Sequence, residues 1–287
     1  MCEPSKIHNK RVYIPESNGE RRPLGLHTIR AKIVQLALKK ILEAIFEEEF
    51  HDVSYGFRAN RSCNDAQDMV DKTLMTKSLN YVVGKDIAKF FDAVDHNCLM
   101  KCLKQRVVGP SLLRINARFL KSGVMVEDKY LETDRRSTQQ GGILSSILAN
   151  IDTHYVLNRW FESVVKKRLT GFALLVRYTD DLIVCFQNGW EARAFEKALW
   201  KRLAKFKLVI SEEKSRTIEF GRYACQQAKK KGKKCATFDF FGFTHFYARS
   251  KRRGSAPEES DEGKPQILFC VGAHSNPGAN TAIGGGL

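Results

Sequence analysis

Apolar and polar side chains alternate from Arg11 to Pro15, the two-residue period of a strand, and Asn18-Gly19 just beyond marks a tight hairpin turn. Arg21–Gly25 leads back out. From Thr28, which can cap a helix, the period lengthens. Ile33, Ala37, Ile41 and Ile45 fall four apart in a stretch running to about Phe50, and this predicts a long surface helix packed on a core. Residues 81–87 read as a short apolar strand that carries an acid, Asp86, at its end, an uncommon position for a charge. Helical patterns follow to about Leu120, and a strand, turn and strand fit 123–133. Gly141-Gly142 opens a helix with Ile143, Ile147, Ile151 and Tyr155 on one side. Residues 172–177 and 182–186 predict two buried strands around a bend, Tyr178-Thr179-Asp180-Asp181. A helix covers about 189–206, and 238–246 is aromatic and strand-like. From Ala248 no period persists. Seven of the 20 glycines and three of the seven prolines lie there, so the tail is expected to be largely disordered.

Charge narrows the partner. The 287 residues carry 48 Lys and Arg against 32 Asp and Glu, a formal +16, which points to a polyanion and above all to nucleic acid. A basic surface with no ligand is the bland alternative. The run Lys229-Lys230-Lys231-Gly232-Lys233-Lys234 could grip phosphates or simply be a solvated loop. Eight cysteines lie scattered without any C-x-x-C pair, which argues against a zinc site and for reduced thiols. His245 likewise has no partner at zinc spacing and is taken as structural. The first residues form no signal peptide, and no apolar run reaches membrane-spanning length, so an intracellular, cytoplasmic chain is expected.

The candidate chemistry is three carboxylates: Asp86 at a strand end, and Asp180 and Asp181 at the bend between two apolar strands. Most Asp-Asp pairs are solvated turns. Here the flanking strands are apolar, a tyrosine adjoins, and a third acid ends another strand. Adjacent carboxylates repel one another unless a divalent cation neutralises them. Magnesium prefers hard oxygen ligands and leaves positions open for phosphates, so a two-ion site suited to nucleotide addition is the sharper reading. Asp92 and Asp95 follow Asp86 closely, but Asp95-His96 reads as a helix N-cap.

Seven runs in order resemble bacterial group II intron-encoded reverse transcriptases, from about Arg11 to Tyr247. They are Arg22-Pro23-Leu24-Gly25; Ser54-Tyr55-Gly56-Phe57-Arg58 with Arg61-Ser62; and Asp86-Ile87 with Phe90-Phe91-Asp92 and Asp95-His96. They continue with Gln140-Gly141-Gly142 and Leu148-Ala149-Asn150; the Tyr-x-Asp-Asp box at Tyr178–Asp181; Glu219-Phe220-Gly221-Arg222; and Phe238–Phe243. The resemblance implies an α+β fold: a right-handed polymerase palm, an antiparallel sheet backed by helices, with a fingers region. Partial fingers would span 1–80, the palm 81–247, and a divergent tail 248–287. It implies an RNA-directed DNA polymerase that adds dNTPs to a DNA or RNA primer on an RNA template, and possible dealings with an intron RNA belong to the same inference.

It also implies roles. Asp86, Asp180 and Asp181 would hold Mg2+ ions, and Phe91 would exclude a ribose 2′-OH while serving as a core aromatic. Gln140 and Gly141 would line the nucleotide pocket, Arg22 and Lys214 would lie near the triphosphate, and Tyr178 near the primer end. On residues alone, Arg22 reads equally as a solvated cation, and Lys214 more readily so, since most such lysines are solvated. An RNA-dependent RNA polymerase shares the palm logic, but Phe91 argues against it.

Some positions depart from the family. Glu16 stands where a lysine is usual, Thr179 where the box carries alanine, Gln139 for a proline, Ser146-Ile147 for Pro-Leu, and Ala31 for an acid. The chain starts near the fingers hairpin and stops soon after the palm, without the thumb that follows in intron proteins. A truncated reading frame, catalytically weak and able only to bind RNA, is therefore the alternative expectation.

Overall fold

The computed structural model describes residues 9–15, 21–88, 90–121, 124–126, 129–131, 142–212, 215–240, 243–246 and 272–273. β1 (Asn9–Pro15) and β2 (Arg21–Leu26) pair antiparallel, with Ile14 opposite Arg22, as the hairpin signal predicted. The turn between them, Glu16 included, lies outside the described residues.

α1 (Ile29–Phe46) starts where Thr28 caps it, the Oγ1 accepting from the Ala31 N–H at 3.3 Å. The expected packing face is corrected. Ala31, Gln35, Leu38, Leu42 and Phe46 are buried, whereas Ile33 and Ile41 stand 63% and 46% exposed. The helix is apolar on more than one side, so a period of four tracks two stripes at once. Polar Gln35 marks the buried stripe because its Oε1 accepts from the Leu144 N–H.

α2 (Cys63–Thr76) opens on a reciprocal cap between Ser62 and Asp65 and buries Ala66, Val70 and Leu74. Next come β3 (Tyr81–Asp86), α3 (Phe90–Ala93), α4 (His96–Leu103) and α5 (Pro110–Leu120). β4 (Val124–Val126) and β5 (Lys129–Leu131) join the first hairpin in a sheet of order β2-β1-β4-β5. α6 (Ser145–Thr153) then runs on through two wide π turns, His154–Asn158 and Phe161–Val165, and a 3-10 turn.

The second sheet carries the centre of the molecule. β6 (Ala173–Tyr178) and β7 (Asp181–Phe186) form a hairpin, α7 (Gly189–Lys205) follows, and β8 (Arg216–Glu219) closes the order β6-β7-β3-β8, all antiparallel. Alternation sorts its side chains. Val83, Leu175, Val184 and Phe186 face a core with Leu42, Phe46, Ile151, Phe161 and Leu199. Val82, Leu174, Val176 and Ile183 face a second core with Tyr55, Val70 and Phe220.

α8 (Arg222–Lys230) precedes β9 (Thr237–Phe240) and β10 (Phe243–Phe246), the two halves of the aromatic run. β11 (Gly272–Ala273) pairs with β10; otherwise the tail from 247 lies outside the described residues. The thiol expectation is corrected at one pair. α8 and the turn after it fold the chain back, so Cys225 and Cys235 are joined, with Cα atoms 4.8 Å apart. Cys63, Cys98, Cys102 and Cys185 are free. Among the described residues no helix is long and apolar enough to cross a membrane.

Candidate active site

The carboxylates meet through strand register. Asp86, the last residue of β3, stands directly opposite Asp181, the first residue of β7, and Asp181 stands opposite Tyr178, the last residue of β6. Directly opposed residues of antiparallel strands share a face. Tyr178, Asp181 and Asp86 therefore form one row across three strands at one end of the sheet, and all three are half-buried. The turn is tighter than the four-residue bend expected, with Thr179 and Asp180 alone outside the strands.

Both sides of the row are pinned. The Ile87 N–H donates to the Asp180 carbonyl at 3.3 Å, and the Ser211 N–H donates to the Asp86 carbonyl at 2.8 Å. Thr179 has a φ of 59°, a left-handed conformation that costs a β-branched residue about 1–3 kcal/mol and persists only where the surroundings impose it.

Those surroundings are a buried polar network that sequence reasoning did not find. Arg177 has no solvent exposure. Its side chain lies on the helix side of the sheet, behind the row. Its Nε donates to Asn158 Oδ1 at 3.0 Å, and one terminal nitrogen donates to Asn150 Oδ1 at 3.2 Å and the Thr179 carbonyl at 2.7 Å. The other terminal nitrogen donates to Ser54 Oγ at 2.5 Å. Burial, then repulsion from Arg58, pulls its pKa down to about 9, while Asp180 and Asp152 act the other way.

The segment around Ser54 pairs with the backbone of Arg177 as well. The Arg177 N–H donates to the Val53 carbonyl at 2.8 Å, and the Tyr55 N–H donates to the Arg177 carbonyl at 2.9 Å. Gly56 then lies flat on the turn. A Cβ there would stand 2.3 Å from Thr179 Oγ1 and 2.5 Å from its backbone nitrogen, so no larger residue fits. Asn150 Nδ2 donates to the Gly56 carbonyl at 2.7 Å. Arg58 organises the loop before it, reaching Glu47 and the carbonyls of His51 and Ser54.

Other predicted residues fall as follows. Phe91 is half-buried on α3, and the exposed ring of Phe57 stands edge-on to it at 6.4 Å. Phe57 has φ 55°, a second strained position beside the site. Arg22 lies on β2 opposite Ile14. Gln140, Gly141 and Lys214 lie outside the described residues, as does the side chain of Asp92. Asp95 caps α4, its Oδ1 accepting from the N–H groups of Asn97 and Cys98 at 3.0 Å. His245 stacks on Phe238 at 4.5 Å and meets Gln67 Oε1 at 2.7 Å.

Among the described residues, no group of three or more His, Cys, Asp or Glu side chains already forms a metal cage. The register nonetheless brings three carboxylates to one sheet end, and that donor set fits a hard divalent cation.

An antiparallel sheet bearing acids at its hairpin and backed by helices defines a polymerase palm, and solved structures agree. The fold matches telomerase from Candida albicans in complex with a fragment of telomeric RNA, with TM-score 0.65 and 14% identity, over 84% of this chain and 45% of that one. Apo telomerase from Candida Tropicalis matches with TM-score 0.63 and 16% identity, over 85% and 48%. Residues 9–245 match the family model described as reverse transcriptase (RNA-dependent DNA polymerase), and the chain belongs to that family. Its relatives include protein YkfC of Escherichia coli, 33% identical over 67% of this chain and 49% of the relative. The group II intron-encoded protein LtrA of Lactococcus lactis is 37% identical over 50% of this chain and 24% of its own length. The chain thus spans half or less of the length of these curated relatives. Family membership brings divalent-metal chemistry in general terms.

Proposed function

We propose that this chain is the polymerising part of a group II intron-type reverse transcriptase, copying an RNA template by adding dNTPs to a primer 3′-hydroxyl with release of pyrophosphate. The register of Asp86 against Asp181, with Asp180 in the turn beside them, carries the reading. Asp86 and the adjacent pair Asp180-Asp181, more than ninety residues further along the chain, have no structural reason to meet at one strand end, where they repel each other.

Asp86, Asp180 and Asp181 would hold Mg2+. When bound, such ions supply charge neutralisation for the attacking and leaving oxygens. The chain's own residues do the rest. Tyr178, in the same row, supports the primer end. Phe91 closes the space a 2′-hydroxyl would need, with Phe57 behind it. Arg22 and Lys214 offer cations to the triphosphate, and Gln140 with Gly141 lines the nucleotide pocket. In this reading residues 1–80 form the fingers, 81–247 the palm, and 248–287 a divergent tail.

Primer extension by the purified chain on an RNA template, with dNTPs and Mg2+, tests the proposal. Asp180→Ala/Asp181→Ala should abolish extension while circular dichroism stays native, and Phe91→Ala should admit rNTPs. Extension that survives the double substitution would refute the carboxylate assignment. Wild-type protein that binds RNA yet never extends a primer would leave only a template-binding role.

A further inference from the structure

We infer that Arg177 is the positioning residue of the aspartate turn: through buried hydrogen bonds, and the packing of Gly56 that completes the ring, it holds the Thr179–Asp181 backbone ready for metal. The inference rests on the carboxylate site proposed above and assigns a residue that site does not name.

The ring can be followed atom by atom. Arg177 grips the Thr179 carbonyl and Asn150 Oδ1 with the same nitrogen, at 2.7 and 3.2 Å. Asn150 turns its Nδ2 to the Gly56 carbonyl at 2.7 Å. Gly56 in turn packs against the Thr179 backbone so closely that no Cβ could be inserted. Thr179 is therefore fixed at its carbonyl from one side and at its nitrogen from the other. Its left-handed φ of 59° follows from that clamp, and the clamp sets the direction in which Asp180 and Asp181 leave the turn.

The arrangement is a costly way to fill a core. All the described hydrogen bonds of the Arg177 side chain end on neutral oxygens, and although Asp180 and Asp152 favour its charge, burial outweighs them. Asn158 gives its oxygen to Arg177 and leaves its Nδ2 buried without a partner. An apolar residue would fill the same space more cheaply. What it could not do is hold a carbonyl, a serine and two asparagines at fixed angles with one planar fork. Those partners come from three separate stretches, at Ser54, at Asn150 with Asn158, and at the turn itself. Arg177 thus ties the segment before α2 and the helix after Gly142 to the carboxylates.

Residues that orient ligands without touching the metal affect its affinity by about 10–100-fold. Mn2+ binding to the full chain, followed by electron paramagnetic resonance, reads this without any polymerisation. Arg177→Lys keeps the charge and loses the fork, and should weaken Mn2+ binding by about 10–100-fold. Ser54→Ala removes one acceptor and should weaken it by about threefold. Leu199→Val, a core change on α7, should lower stability without altering the affinity. If the wild type extends primers, Arg177→Lys should lower kcat and leave the KM for template-primer unchanged. Should Arg177→Lys fail to fold, Ser54→Ala decides. Wild-type affinity in both variants, against a wild type that binds better than Asp181→Asn, overturns the positioning role alone. A wild type that binds Mn2+ no better than Asp181→Asn overturns the carboxylate site and this inference together.

Discussion

Asp152→Asn should flatten the dependence of stability on pH. Asp152 lies on α6, only 2% exposed. Burial first, and Asp95 second, push its pKa from 3.8 to about 7 against the pull of Arg177. Between those values the folded chain keeps a proton that the unfolded chain has released. The unfolded state then binds fewer protons, so stability falls as pH rises through this window and levels off above about pH 7. A span of about 3 pH units at about 1.4 kcal/mol each makes a cost of about 4 kcal/mol at most. That is a large part of the about 5–15 kcal/mol that holds a domain together. Asparagine has the same shape and cannot ionise. The variant should match wild type near pH 4 and exceed it by up to about 4 kcal/mol near pH 8. Urea unfolding followed by the fluorescence of Trp160, Trp190 and Trp200 reads both proteins across the range. Taking the difference cancels every other titrating group. Parallel profiles, or a variant less stable by the same amount at each pH, would refute the argument.

Gly56→Ala should destabilise by about 3 kcal/mol, seen as a lower urea midpoint, because the added methyl meets the Thr179 backbone as well as its hydroxyl, and the backbone cannot move aside. Glu191 is fully buried; burial works to raise its pKa, but donors from Thr170, Gly171 and Asn188 outweigh it and hold the carboxyl below its usual range. Its stabilisation is present at neutral pH and lost as pH falls, so Glu191→Gln should cost about 2 kcal/mol near pH 7 and little near pH 3 in thermal melts. Lys85 is buried beside Glu196. Lys85→Met should change stability by less than about 1 kcal/mol, whereas Glu196→Gln, which strands the ammonium, should cost about 3 kcal/mol in the same melts.

The strands around the acids were legible because each is short, apolar and ended by a charge, and strand register then leaves little freedom. The face of α1 was not. Ile33, Ala37 and Ile41 are as regular as Leu38, Leu42 and Phe46, and only tertiary contacts choose between them. α2 carries few apolar residues and was not read as a helix, although Ser62 and Asp65 form its cap. The Cys225–Cys235 link could not be read, since spacing alone does not say which cysteines meet. Arg177 was hidden for another reason. An arginine at the end of an apolar strand resembles a strand boundary, and its partner Ser54 lies 123 residues away. A buried arginine is invisible until its distant acceptors are known.

The wide turn at His154–Asn158 decides where two members of that network point. Eight residues on a regular α-helix overshoot two full turns by about 80°, so Asn150 and Asn158 would point in different directions. A turn closed by i→i+5 bonds takes up more residues per revolution and absorbs much of the overshoot. The Arg159 N–H bonding to the His154 carbonyl is such a closure, and both asparagines end on one guanidinium. The helix acts here as a vernier, phased by one surplus residue. On a regular helix two asparagines seven apart would fall within about 20° of one direction, so the wide turn takes in one surplus residue without losing that alignment. The phase of this helix is therefore as much a part of the site as any side chain in it.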